Sequence, residues 1–262
     1  MVQPGSAAGL AARRTDGRKE LGRKADGLDE LGELVKELSS LHYRLFVEGT
    51  RSLLLILQGL DASGKDGTTK SVFTGVNPQG CRVVSFKEPT AGELEHDYLW
   101  RVHLACPVRG EMAIFNRSQY EDVVTARVRK LAPARVWKRR PRHIREFERL
   151  LVDEGTTIVK VYLHVSREKQ VERLRERLTD PEKSWKFRES DVNDLARRDE
   201  FISAYEDVIN ETSTKWAPWY VVPADHNWAR NLLVARILVS MLRRMDPQLP
   251  EPPAGLDEIV IE

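Results

Sequence analysis

Gly59, Gly64 and Lys65 stand in the segment LLLILQGLDASGKDGTT, residues 53–69, at the spacing of a loop that grips phosphate. Glycine at those positions lets the backbone curl so that its N–H groups converge on an anion, and the lysine reaches across to neutralise bridging phosphate oxygens. Ala62, Ser63, Gly64, Lys65, Asp66, Gly67 and Thr68 are accordingly the expected phosphate contacts. The usual loop carries Ser or Thr after the lysine to hold magnesium; this chain has Asp66 there and a further acid, Asp61, inside the loop. A carboxylate at Asp61 can reach a metal bridging two phosphates, which makes it the expected Mg2+ ligand, although an Asp at that point also stabilises turns. Asp66 reads equally as a favourable charge at a helix start or as a partner of the metal site.

Phosphoryl transfer needs cations on several sides of the moving group, because charge spreads over its equatorial oxygens. Lys65 supplies one, Arg117 at a later strand end another, and Arg173 and Arg177, one helical turn apart, are expected to face the same cleft. Lys183 and Lys186 follow within reach. Between Arg127 and Arg149 the chain is dense in Arg and Lys, which suits a polyanion or simply a solvated basic face. Only Trp137 and Phe147 interleave there, so stacking of successive bases is poorly provided for and nucleic acid is not the expected partner. Trp185, Phe187, Trp216 and Trp219 could stack on a purine or anchor a lid on the core.

The elements that must position these groups alternate along the chain. Apolar runs predict strands at Leu53–Leu57, Cys81–Phe86, Met112–Phe115, Thr157–Val165 and Trp219–Pro223. Helical periodicity covers Leu28 to Val47, the run after the loop from Thr68, Leu94–Leu104, Ile144–Leu151, Glu168–Leu178 and Asn227–Arg243. Strands that alternate with helices form a parallel sheet covered on both faces, with ligands at the strand C-termini. Residues 1–26, poor in apolar anchors, read as a mobile arm; 27–246 as the folded domain, with a strandless, charged lid at about 167–215; and 247–262 as a Pro-rich tail.

Composition narrows the classes further. An apolar fraction of 41% can fill a core, and 42 basic against 40 acidic residues leave a net charge of only +2, which argues against a general nucleic-acid coat. No run approaches the ~18 apolar residues of a membrane span, and no secretory leader is evident, so the expected location is the cytoplasm. The two cysteines, Cys81 and Cys106, lack zinc-site spacing and read as small buried residues.

The ordered motifs GLDASGKDGTT, VNPQGC, FKEPT, DYLWR, IFNRSQYE, DPEKSWKF and APWYVVPAD, spread between Leu31 and Met245, resemble the family 2 polyphosphate kinases. The resemblance implies an α/β, three-layer P-loop kinase fold of the thymidylate-kinase kind, magnesium dependence, and phosphoryl transfer from inorganic polyphosphate to a nucleotide or the reverse. It assigns Asp61 and Lys65 as the loop acid and lysine, Arg117 as the arginine after the third strand, and Arg177 with Asp191 as lid residues. The pattern FNRSxYE resembles the subgroup acting on both nucleoside mono- and diphosphates, which implies AMP to ADP and ADP to ATP. Asn116 stands where many members carry Asp and Glu121 where they carry Asn, so Glu121 is expected to replace the missing carboxylate. Arg198 stands where many carry Trp. Adenine nucleotides, with guanine open, and a homodimer or homotetramer are further implications. An ATP-dependent kinase and a non-catalytic polyanion-binding module are the rival readings.

Overall fold

A computed structural model describes residues 1–255. Five strands form one all-parallel sheet: β1 Ser52–Gln58, β2 Cys81–Ser85, β3 Met112–Asn116, β4 Thr156–His164 and β5 Trp219–Pro223, in the order β2-β3-β1-β4-β5. Every residue of β1 is buried, as expected of a central parallel strand covered on both faces. The helices are α1 Arg18–Leu21, α2 Lys24–Glu48, α3 Lys65–Val72, α4 Ala91–Leu94, α5 Trp100–Leu104 and α6 Glu121–Val128 in the first half. The second half holds α7 Ala134–Trp137, α8 Arg140–Asp153, α9 Arg167–Thr179, α10 Glu189–Ala196, α11 Arg198–Thr212 and α12 Asn227–Met245. Helices cover both faces of the sheet, so the expected three-layer α/β architecture forms, with the glycine-rich loop between β1 and α3.

The order 2-3-1-4-5 has its crossover at β1, which places the loop between the C-terminal ends of β3 and β4. That crevice is where open α/β sheets bind ligands. Beneath it, β4, α8 and α11 are joined by a buried charge network: Lys160 Nζ donates to Glu148 Oε2 at 2.6 Å, to the Thr212 carbonyl at 2.8 Å and to the Tyr120 hydroxyl at 3.1 Å. Both members of the ion pair are fully buried.

Four sequence expectations change. Residues 2–15 are packed rather than mobile: Val2, Ala8 and Leu10 join the core, the Val2 N–H bonds the Trp219 carbonyl, and the Gly9 and Leu10 N–H groups bond Glu206 at 2.7 and 2.6 Å. Three well-spaced apolar side chains and an acid that collects free N–H groups are enough to dock a segment whose average composition looks unanchored. Not all of the segment 167–215 expected as a lid is free of the domain body, because α11 buries Phe201, Ala204, Tyr205, Val208 and Ile209 against α6 and α8. Residues 180–197 carry no such apolar face. The helix expected over Leu94–Leu104 is interrupted, since Asp97 accepts from the Leu99 N–H at 2.9 Å and so forms a turn between α4 and α5. Of the Pro-rich tail, Pro247 is buried and the Gln248 N–H bonds Glu48 at 3.0 Å; residues 256–262 lie outside the described residues.

Candidate active site

The loop adopts the strained geometry its glycines suggest. Gly64 has φ +100°, and a Cβ added to Gly59 would sit 2.8 Å from the Leu163 carbonyl, so neither position accepts a side chain without rearrangement. Ala62 and Arg117 are also left-handed, at φ +60° and +62°. Such conformations cost about 1–3 kcal/mol in a non-glycine residue and persist where the surroundings impose them. Both residues flank the same crevice.

Lys65 is buried, and its Nζ donates to the Gly59 and Leu60 carbonyls at 2.8 and 3.2 Å, which holds the ammonium within the loop. Burial, reinforced by the Arg117 guanidinium, pushes its pKa down to about 8. Arg117 donates to Asp61 Oδ1 at 2.5 Å and lies 3.8 Å from Glu121 Oε2; Glu121 foremost, with Asp61, holds the guanidinium firmly protonated. Burial alone would raise the Asp61 pKa, but Arg117, Lys65 and Arg177 outweigh it and keep the carboxyl below its ordinary value. A carboxylate so placed is ionised, with Oδ1 taken by Arg117.

Glu121 is fixed on α6. Thr125 donates to its Oε2 at 2.6 Å, and Gln58, with its amide oriented to satisfy both of its ends, donates to Oε1 at 3.0 Å. Asn116, at the end of β3, donates to Asp66 Oδ1 at 2.7 Å, and Lys186 donates to the other oxygen at 3.2 Å. An Asp at position 116 would set two carboxylates against each other there; Asn converts the contact to a hydrogen bond. Arg177 crosses from α9 to α10 and donates to Asp191 Oδ2 at 2.8 Å. Burial, and then repulsion from Asp61, raises the Asp191 pKa.

The described residues include no group of three or more His, Cys, Asp or Glu side chains able to cage a metal by themselves. Magnesium is ordinarily held by one or two carboxylates together with phosphate oxygens and water; the carboxylates of Asp61 in the loop and Asp66 in the first turn of α3 are the donors of that kind here, each with one oxygen bonded by Arg117 or Asn116.

Several expected contacts are placed elsewhere. Arg173 does not share the cleft with Arg177: it donates to the Ala62 and Ala224 carbonyls at 3.0 and 2.8 Å and to Asn227 at 3.1 Å, bracing the loop from outside. Lys183 is exposed and pairs with Asp180 on its own turn and with Glu176 in the last turn of α9. Arg127 lies over Trp137 and pairs with Asp207. In the basic stretch Arg129, Arg140, Arg142 and Arg149 also face carboxylates, so much of the charge that looked available to a polyanion is neutralised by the fold. Trp219 is core, whereas Trp185 remains exposed. Arg198 is tied to Gln170 and the Val165 carbonyl. Sequence reading missed Gln58 and Arg230. Gln58 ends a wholly apolar strand and Arg230 falls on the apolar face of α12, each a polar residue at a position the periodicity marks as buried.

A family model described as Polyphosphate kinase 2 matches residues 22–250, most of the chain. The chain belongs to the polyphosphate kinase 2 family. Among polyphosphate kinase 2 relatives, the Meiothermus ruber protein named AMP/ADP-polyphosphate phosphotransferase is 53% identical over 92% of this chain and 90% of its own length. The Rhodopseudomonas palustris protein named ADP-polyphosphate phosphotransferase is 40% identical over 83% and 79%. The crystal structure of polyphosphate kinase 2 from Arthrobacter aurescens TC1 superposes with a TM-score of 0.94 at 38% identity, covering 98% of this chain and 93% of that one. No helix among the described residues is long and apolar enough to cross a membrane.

Proposed function

We propose that this kinase transfers phosphoryl groups from inorganic polyphosphate to AMP and ADP, with Mg2+ as its cation. The observation that carries the reading is the clustering of Lys65, Arg117 and the Arg177–Asp191 pair around one ionised loop carboxylate, Asp61. The extensive likeness to a relative named for both acceptors supports the choice of AMP and ADP.

The residues divide the work as follows. The loop N–H groups and Lys65 hold the phosphoryl group being moved, and Arg117 and Lys65 balance the charge that develops on it as an acceptor phosphate oxygen attacks in line. Asp61 and Asp66 would hold the magnesium, which when bound neutralises phosphate oxygens and fixes their orientation. Glu121, fixed by Gln58 and Thr125, orients Arg117 from the side opposite Asp61. Arg177 and Asp191 bring residues 180–197 over the site and exclude water.

Incubating the protein with AMP, polyphosphate and Mg2+ while following ADP and ATP tests donor, acceptors and cation together. ADP should appear first and ATP after it. Product formed from ATP and AMP but not from polyphosphate would replace this reading with an ordinary nucleotide kinase.

A further inference from the structure

Arg230 is one of the largest fully buried side chains of the molecule, 2% exposed, yet none of its hydrogen-bond partners among the described residues is a carboxylate. Its Nη1 donates to Asn227 Oδ1 at 2.9 Å, and its Nε and Nη2 to Asn231 Oδ1 at 3.1 and 2.9 Å. All these acceptors are neutral amide oxygens on its own helix. The guanidinium is pressed against the phosphate-gripping loop: a Cβ built on Gly64 would lie 1.9 Å from Nη1, and one on Gly67 3.1 Å from Nη2. Arg173, which braces Ala62 and Ser63, adds a second guanidinium that is bonded only to carbonyl and amide oxygens. Burial, and then repulsion from Arg173, pushes the Arg230 pKa down to about 9. A buried charge without a counter-charge is costly, and such a group is retained where something else balances it.

We propose that Arg230 is a positioning residue for the phosphate donor: its charge, fixed against Gly64 and partnered only by neutral oxygens, is balanced by the phosphate chain that the loop holds. The proposal rests on the reading that this loop binds polyphosphate. Arg230 is too buried to touch that chain and acts through the loop in two ways. It fills the space that requires glycine at position 64, and it adds a fixed positive field at short range in a partly dry environment, where charges interact more strongly than in water. Donor affinity, rather than acceptor affinity or the chemical step, is the quantity it sets.

The test compares the full-length protein with Arg230→Met and Arg230→Lys in two measurements: the rise in Tm on adding long-chain polyphosphate with Mg2+, and KM for polyphosphate and for AMP. For Arg230→Met the expected result is an apo Tm equal to or above that of the wild type, loss of most of the polyphosphate-induced rise, and KM for polyphosphate raised about tenfold with KM for AMP within about twofold. Arg230→Lys, which keeps the charge, should recover most of both. A lowered apo Tm with an unchanged polyphosphate response would make Arg230 a structural filler and overturn the proposal. If Arg230→Met does not fold, Arg230→Gln takes its place, and failure of both neutral variants to fold also assigns a structural role. A wild-type protein that neither binds nor consumes polyphosphate overturns the functional reading itself before any variant is compared.

Discussion

Lys186, in the turn Ser184–Lys186 that follows α9, donates to Asp66 Oδ2 at 3.2 Å, and so ties the lid to the first turn of the helix that follows the phosphate loop. The same carboxylate accepts from Asn116 at 2.7 Å. Partial desolvation of this mostly exposed side chain would raise the Asp66 pKa, but the bonds from Asn116 and Lys186 outweigh it and hold the carboxyl below its ordinary value. One acid thereby joins strand end, loop and lid, at the position where related loops carry a hydroxyl.

Because Asp66 is exposed and Lys186 only part-buried, the pair contributes less than about 1 kcal/mol to folding. Lys186→Ala should leave Tm within about 2 °C of the wild type. It should also speed limited proteolysis within residues 180–197 and raise KM for polyphosphate. An unchanged proteolysis rate would show that the contact does not hold the lid.

Lys65→Met should lower phosphoryl transfer by at least about a hundredfold while the protein stays folded, since the lysine balances charge on the moving group. It also changes the pH dependence of stability. The folded pKa of about 8 lies below the ordinary 10.5, so the folded chain binds less proton between those values than the unfolded one. The penalty of the buried ammonium is fully present below pH 8 and fades as pH rises toward 10.5. Urea denaturation of the apo protein across this window should show the wild type gaining stability relative to Lys65→Met; parallel curves would contradict the assignment.

Asp61→Asn removes the ionised carboxylate and leaves Arg117 facing an amide. Turnover should fall by roughly a hundredfold, with a raised magnesium requirement, and chelation of divalent cations should silence the wild type. A magnesium titration of both proteins checks this. Identical half-saturation would exclude Asp61 as a ligand.

Glu148→Gln leaves Lys160 as an uncompensated charge in the core and should cost roughly 3–5 kcal/mol in denaturant unfolding. Glu148→Leu combined with Lys160→Met should recover much of that loss, because the pair is then replaced by apolar groups of similar size.

Deleting residues 1–12 strips the core of Val2 and Leu10 and frees Glu206. At about 1.5–3 kcal/mol per buried aliphatic side chain, the truncated protein should lose roughly 3–6 kcal/mol. A truncation without effect on Tm would restore the picture of a free arm.

The sequence by itself determined the sheet and the phosphate loop. All five strands form where the apolar runs place them; central β1, buried on both faces, is apolar nearly throughout, whereas the edge strands β2 and β5 are only partly covered and β2 carries Arg82 and Ser85. Gly59, Gly64 and Lys65 announce their chemistry through backbone conformations and a charge that few other residues supply. Only the tertiary structure decided how the cations are used. Arg173 and Arg177 sit one turn apart on one helix, yet one is consumed by loop carbonyls and the other by a lid carboxylate. In the basic stretch Arg142 and Arg149 pair with carboxylates four residues on along α8, but Arg127, Arg129 and Arg140 find their counter-charges on α11, α10 and α6. A guanidinium's role depends on which acceptors the fold brings within about 3 Å, and contacts across a hundred residues leave no periodicity in the sequence. The same reason hides Arg230: its position on the apolar face of α12 is legible, but that it lies against Gly64 is a consequence of helix packing alone.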